Sequence, residues 1–226
     1  TEIYTLSLHD ALPICANPCR AAKHVICEHC REVLDFDDSV NSVLESIWLP
    51  KVTRVGPNCF QDCSNLRHIS LPVVKYIGDG AFRHCRSLRS VSLGARDIGD
   101  NAFGGCWQLQ NASLPLARDV TGGIFHQCGS LKTVSMPVAT RVQRSAFQGC
   151  TSLTAVSLPV VTSVGPYAFC ACANLETVSL PSLKSVDHTA FDGGCRRLSK
   201  DKIFAPDHAK RDRKSTRLNS SHVRTS

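Results

Sequence analysis

The chain has 226 residues, 42% of them hydrophobic but only 6% aromatic, and a formal net charge of +7. That length supports one domain of ordinary size, with a core that has to be built mostly from aliphatic side chains. No run of 18 apolar residues occurs, so the sequence contains no segment expected to cross a membrane as a helix; with thirteen cysteines, their placement is the informative feature.

Residues 1–14 read TEIYTLSLHDALPI, and residues 212–222 read DRKSTRLNSSH. Each resembles the translation of one arm of a sequencing-library adapter. Residues 1–14 and 212–226 are therefore expected to be scars that join no folded unit and pack on nothing. The remaining segment runs from about Ala16 to Arg211, with Cys15 at the junction, and its ends carry no information about a leader or an anchor.

Residues 15–46 are expected to form an N-terminal cap. Cys19, Cys27 and Cys30 lie there, with His24 and His29 close by. Thiolates two residues apart can both face one tetrahedral Zn2+, which makes these three cysteines the candidate metal ligands. A disulfide within the cap, or free cap cysteines, is the alternative. Downstream, Val33, Leu34, Val40, Val43 and Leu44 give a loose amphipathic pattern that suits a capping helix over 31–46.

From residue 47 to residue 200 the chain repeats itself. Phenylalanines fall at Phe60, Phe82, Phe103, Phe125, Phe147, Phe169 and Phe191. Cysteines follow them at Cys63, Cys85, Cys106, Cys128, Cys150, Cys172 and Cys195, the last displaced by one residue at Gly193-Gly194. Leucines come next, from Leu66 through Leu198. Within one rung, Ile69 and Leu71 alternate with polar neighbours, the period of a half-buried strand, and Pro72 ends it because proline donates nothing to a ladder. Val74 and Ile77 mark a second short strand. Ala81, Phe82, Cys85 and Leu88 recur at three- to four-residue spacing, which predicts one or two helical turns with a buried face. A single rung cannot bury its apolar side, but a stack of copies can. The expected fold is an α/β repeat, a solenoid of seven rungs of about 22 residues, each a strand, a turn and a short helical turn, followed by a C-terminal extension over 201–211.

The pattern L-x-x-[IV]-S-L-P-x-[VA]-x-x-[VI]-G-x-x-A-F-x-x-C-x-x-L resembles the BspA-type leucine-rich repeat over about residues 44–198. It departs at Gly94 and Met136 in the Leu-Pro pair, and at Thr121, Gln143 and Asp187, which replace the turn glycine. The resemblance implies a leucine-rich-repeat solenoid of a kind found on bacterial surfaces and in several microbial eukaryotes. Its members are typically cell-surface or secreted binding proteins, some of them adhesins. Such a match carries architecture, not the identity of a partner.

Two outward rows are candidate contact surfaces. The strand row carries Ser70, Ser92, Ser113, Ser135, Ser157 and Ser179, with Trp48 in the same slot of the first rung, and beside them His68, Asn111, Thr133 and Thr177. It is a small, neutral, hydroxyl-rich face, either simply solvated or a binding surface. The second row carries Arg54, Lys75, Arg96, Arg118, Arg141 and Lys184, interrupted by Asp97 and Asp119. Without interleaved stacking aromatics it suits a solvated charged edge better than a nucleic-acid site. No GxSxG elbow, phosphate loop or HExxH occurs. The expectation is a non-catalytic module for protein or glycan partners, with no cofactor, no catalytic residue and no nucleic acid. A structural spacer is the alternative reading, and an enzyme the most remote one. The cysteine ladder from Cys63 to Cys195 is expected to be buried thiol, because in-register Cβ atoms point the same way and stay too far apart to bridge.

Overall fold

The computed structural model describes residues 3–5, 23–34 and 43–206. Over these residues the chain winds as a β-solenoid of eight stacked coils, one more than the phenylalanines count. Each coil opens with a three-residue strand: His24–Ile26, Ser46–Trp48, His68–Ser70, Ser90–Ser92, Asn111–Ser113, Thr133–Ser135, Ala155–Ser157 and Thr177–Ser179. Equivalent residues pair in parallel, Val25 with Ile47 and Ile47 with Ile69. Backbone pairing along this face divides into three sheets, with seams after His68–Ser70 and after Thr133–Ser135. The inward residue of each strand preceding a seam, Ile69 or Val134, is only half-buried.

A second ladder of two-residue strands runs along another side, from Glu32–Val33 and Arg54–Val55 to Ser185–Val186. In each, one residue points inward and the other outward; Val55, Ile77, Val120 and Val142 are buried. The Leu-Pro dipeptide turns the corner between the two ladders, with the leucine in the core and the proline outside.

On the remaining side the expected helical turns are absent, and the backbone bonding shows why. Cys85 donates its N–H to the Phe82 carbonyl three residues back, and Leu88 to that of Cys85. Between such turns, every second amide reaches into the next coil: Gly80 to Asp100, Phe82 to Ala102 and His84 to Gly104. A helix would use all of these amides internally. Two left-handed residues per coil also break any helix, one at Asn58, Gly80, Asn101, Gly123, Ser145 and Tyr167, the other at Asp62, His84, Gly105, Gln127, Gly149, Ala171 and Gly193. The arc is thus a third ladder, made of stacked turns.

The core is one continuous file. Phe60 through Phe191 stack face to face, with ring centroids 5.2–6.0 Å apart and interplanar angles of 3–22°. The ladder cysteines are buried beside them. Each Sγ from Cys85 onward donates to the carbonyl of the phenylalanine one coil earlier, Cys85 to Phe60 at 3.2 Å and Cys172 to Phe147 at 3.0 Å. Cysteine here fills a small buried slot and also gives the Phe carbonyl a second donor, which valine or alanine would lack.

Three expectations about the ends are corrected. The cap over 15–46 contains a coil of its own: Val25, Cys27, Cys30 and Val33 occupy the core positions of Ile47, Leu49, Val52 and Val55. Where a capping helix was expected, Glu32–Val33 is a strand on the second ladder, because Val33 falls in register with Val55; residues 35–42 lie outside the described residues. The C-terminal extension also joins the array, since Ile203–Phe204 pairs with Val178–Ser179 and buried Ile203 closes that end of the core. Finally, residues 1–14 do not all stay apart. Ile3–Thr5 pairs in parallel with His24–Ile26, as an extended segment can wherever a strand edge leaves its N–H and C=O groups open. Residues 6–14 and 212–226 lie outside the described residues.

Candidate functional site

The strand ladder gathers the candidate binding residues onto one face. Because side chains alternate, the first and third residues of every strand point outward while the middle one enters the core. Register places Trp48 beside Ser70, Ser92 beside Ser113 and Ser135, and Ser157 beside Ser179. The parallel column runs through His68, Asn111, Thr133 and Thr177. Trp48, His68, Ser92, Asn111, Thr133, Ser135 and Ser157 are exposed; Ser70, Ser113, Thr177 and Ser179 are half-buried.

Two apolar residues of this face were not singled out from the sequence. Ile26 precedes Trp48 at one end, and Phe204, 56% exposed, follows Ser179 at the other. The hydroxyl stripe is therefore bracketed by an exposed tryptophan and an exposed phenylalanine. Side-chain bonds along it are few: His24 Nδ1 with Ser46 Oγ at 2.7 Å, and the Thr133 hydroxyl donating to Asn111 Oδ1 at 2.7 Å. Most of its hydroxyls are therefore available to a partner.

The basic row resolves into two adjacent columns on the second ladder rather than one. Arg54 and Arg141 stand in the outward strand position, in register with Tyr76 and Asp119. The Arg54 guanidinium lies 4.3 Å from the Tyr76 ring centre. Arg141 bonds Asp119 through two nitrogens, at 3.0 and 2.9 Å. That hydrogen bonding is the largest influence holding the Asp119 carboxyl below its ordinary value. Lys75, Arg96, Arg118 and Lys184 are exposed one residue earlier. Tyr76, Arg96, Arg118 and Arg141 line a shallow cleft of about 470 Å3. Two of the six cations, Arg54 and Arg141, are thus engaged with neighbours within the array, which weakens the row as a field-steering surface.

For the candidate metal ligands, the structure takes the other alternative. Cys27 and Cys30 form a disulfide, with Cα atoms 5.6 Å apart, and both are buried in core positions of the first coil. A disulfide sulfur offers no thiolate to zinc, so this pair does not form the metal site the spacing suggested. Cys19 lies outside the described residues. No group of three or more His, Cys, Asp or Glu that could hold a metal ion occurs among the described residues.

The ladder thiols are not bridged. Cys85, Cys106, Cys128, Cys150, Cys172 and Cys195 stand as buried thiols, and among the described thiols only Cys170, off the ladder, is half-buried. Alkylation of native protein should therefore modify Cys170 before any ladder cysteine. Denaturation without reductant should open the ladder while sparing Cys27 and Cys30. Ladder peptides that resist alkylation after denaturation, read by mass spectrometry, would refute the thiol assignment.

The sequence pattern of the family described as BspA type leucine rich repeat region matches residues 39–154 and 140–210, in six copies. Among solved structures, the chain is similar to a leucine rich cell surface protein from Faecalibacterium prausnitzii, at 26% identity and a TM-score of 0.69, covering 79% of this chain and 52% of that one. A leucine rich repeat protein of T. pallidum matches at 26% identity and a TM-score of 0.61, covering 68% and 78%. A leucine-rich repeat protein of Eubacterium ventriosum, 20% identical with a TM-score of 0.64 over 80% and 60%, shares the fold. No curated protein sequence matches the chain. The chain spans about half the length of the Faecalibacterium protein. The leucine and phenylalanine ladders agree with the matched pattern, and the chain belongs to the BspA-type leucine-rich repeat family.

Proposed function

We propose that the chain is a non-catalytic binding module that presents its strand face to a protein or glycan partner at a cell surface. The observation that carries this reading is the strand face itself: in-register columns of small neutral side chains, bracketed by exposed Trp48 and Phe204. A face of hydroxyls backed by a rigid core offers many hydrogen bonds at little cost in side-chain entropy, and aromatic residues at its ends supply apolar anchors. The cell-surface placement rests on the likeness to the Faecalibacterium protein, which is described as a cell surface protein. No convergent acid and base with a shaped pocket supports catalysis among the described residues, and repeat solenoids of this family are typically non-catalytic.

A screen of the purified chain against immobilised glycans and glycoproteins tests the reading. Saturable binding to at least one member is expected. The double substitution Ser113→Arg and Ser135→Arg, which places two long cations at the centre of the face, should weaken that binding at least tenfold while Lys184→Ala leaves it unchanged. Absence of saturable binding across the screen would favour a spacer instead.

A further inference from the structure

The position after each ladder cysteine forms a column of its own: Ser64, Arg86, Trp107, Gly129 and Thr151. Backbone bonds hold it in register, from Gln108 N–H to Arg86 O at 3.3 Å, Ser130 N–H to Trp107 O at 3.2 Å and Ser152 N–H to Gly129 O at 3.0 Å. Trp107 is 51% exposed. The Arg86 guanidinium, one coil before, lies over one face of its ring, 4.8 Å from the centre. In the next coil the column holds a glycine, Gly129, in the place after its ladder cysteine. A Cβ built at Gly129 would have only Thr151 Oγ1 within 4 Å, at 3.6 Å. No atom of Trp107 comes within 4 Å of that Cβ, so the space immediately around it is open apart from the Thr151 hydroxyl.

The geometry points to a saccharide-stacking subsite in which a neutral pyranose ring lies on the open face of Trp107, above Gly129. The width is suitable. Coils repeat at about 4.8 Å, so roughly two spacings separate the Trp107 plane from Thr151, and a ring in contact with the tryptophan at about 3.5–4 Å fits between them. Tryptophan offers a large flat apolar surface to the C–H face of a sugar. The Arg86 guanidinium holds the indole from behind by a cation–π contact. The column and its neighbours offer Gln108, Ser130, Thr151 and Ser152, all neutral groups that can donate and accept. Thr151 already donates to the Gly129 carbonyl at 3.1 Å, which leaves its oxygen to accept from a sugar hydroxyl. Such a set suits an uncharged polyol and gives no second cation for a phosphate. The subsite lies off the strand face and deepens the glycan arm of the binding-module reading, on which it rests.

The chain contains two tryptophans, so a 15N-labelled sample gives two indole N–H signals, assigned through Trp107→Leu. Titration with methyl β-glucoside, methyl β-galactoside, methyl α-mannoside and N-acetylglucosamine, with AMP as a planar control, tests the subsite. At least one sugar should shift the Trp107 signal saturably at roughly millimolar concentration, leaving the Trp48 signal in place. Gly129 has an ordinary backbone conformation, so Gly129→Val should fold and fill the notch, weakening the shift at least tenfold; Gly129→Ala serves if valine disturbs the spectrum. A Trp107 signal unmoved by all four sugars, equal affinity in both Gly129 variants, or a response to AMP alone overturns the proposal. Binding in the glycoprotein screen together with a silent Trp107 removes only this subsite, whereas failure of both removes the binding-module reading itself.

Discussion

Truncating Phe147 to alanine should destabilise the array by about 3–5 kcal/mol. The ring is fully buried and stacks on two neighbours, Phe125 at 5.7 Å and Phe169 at 5.2 Å. Removing it leaves a ring-sized void within a file that cannot close by local collapse, because the second ladder and the stacked turns hold the next coil at fixed spacing even where the strand ladder has its seam. In a stacked array each coil is stabilised mainly by its two neighbours, so a central void weakens two interfaces together. The same truncation at Phe191, at the end of the file with one stacking partner at 5.3 Å, should cost clearly less. Urea unfolding of both variants measures the difference. A loss of only about 0.5 kcal/mol at Phe147 would mean that the ring does not carry the packing assigned to it.

The phenylalanine and cysteine spacing made the coils legible because both ladders are core, and core positions tolerate few alternatives. The first coil stayed hidden for the same reason in reverse. Cys27 and Cys30 stand where later coils have Leu49 and Val52, and as a CxxC they read as chemistry rather than as packing. Helical turns were a natural misreading, since Ala81, Phe82, Cys85 and Leu88 have the spacing that a helix shares with consecutive turns. The discriminating signal was present two residues before each phenylalanine, where Asn58, Gly80, Asn101 and Gly123 alternate. Asparagine and glycine are the residues that tolerate the left-handed region, and recurring in one slot they mark a turn. Ser145 and Tyr167 hold the same conformation because the ladders on either side over-determine it, at a cost of order 1 kcal/mol each.

The strand face was legible because period-2 alternation assigns sides without any knowledge of the stack. What stacking adds was not. Whether Phe204 continues the face depends on how far the array extends at its C-terminal end, and Ile3–Thr5 shows that even a segment with no repeat residues can take the open edge at the other. The environment of Trp107 likewise depends on the residue one coil away on either side, Arg86 and Gly129, which a sequence shows only once the register is known.

Raising the pH should unfold the array well before its lysines titrate, because five of the ladder cysteines are held as neutral thiols. Burial, the largest cause in each case, pushes Cys85, Cys128, Cys150 and Cys172 far above the ordinary thiol range, and Cys195, nearer the end, up to about 11. In the unfolded chain these thiols ionise near 8.5. A group whose folded value is raised contributes stability that is complete below its unfolded value and lost as pH climbs past it. For Cys195 the loss runs from about pH 8.5 to about 11. For the four deeper thiols it continues through the whole accessible range. Each thiol removes up to about 1.4 kcal/mol per pH unit in that window, so between pH 8.5 and 10 these five together should cost several kcal/mol, comparable with the stability of an ordinary domain. The urea midpoint, followed from pH 7 to 10 under reducing conditions, should be flat at first and then fall steeply. Cys150→Ala separates this linkage from general alkaline damage. It should be less stable at pH 7, because the Phe125 carbonyl loses its Sγ donor at 3.2 Å and a small void opens. Its decline above pH 8.5 should nevertheless be shallower than that of the parent, by roughly one thiol's share of the linkage. A midpoint that stays level to pH 10 in the parent would show that the ladder ionises freely in the folded state, and that the phenylalanine carbonyls are not satisfied by these thiols.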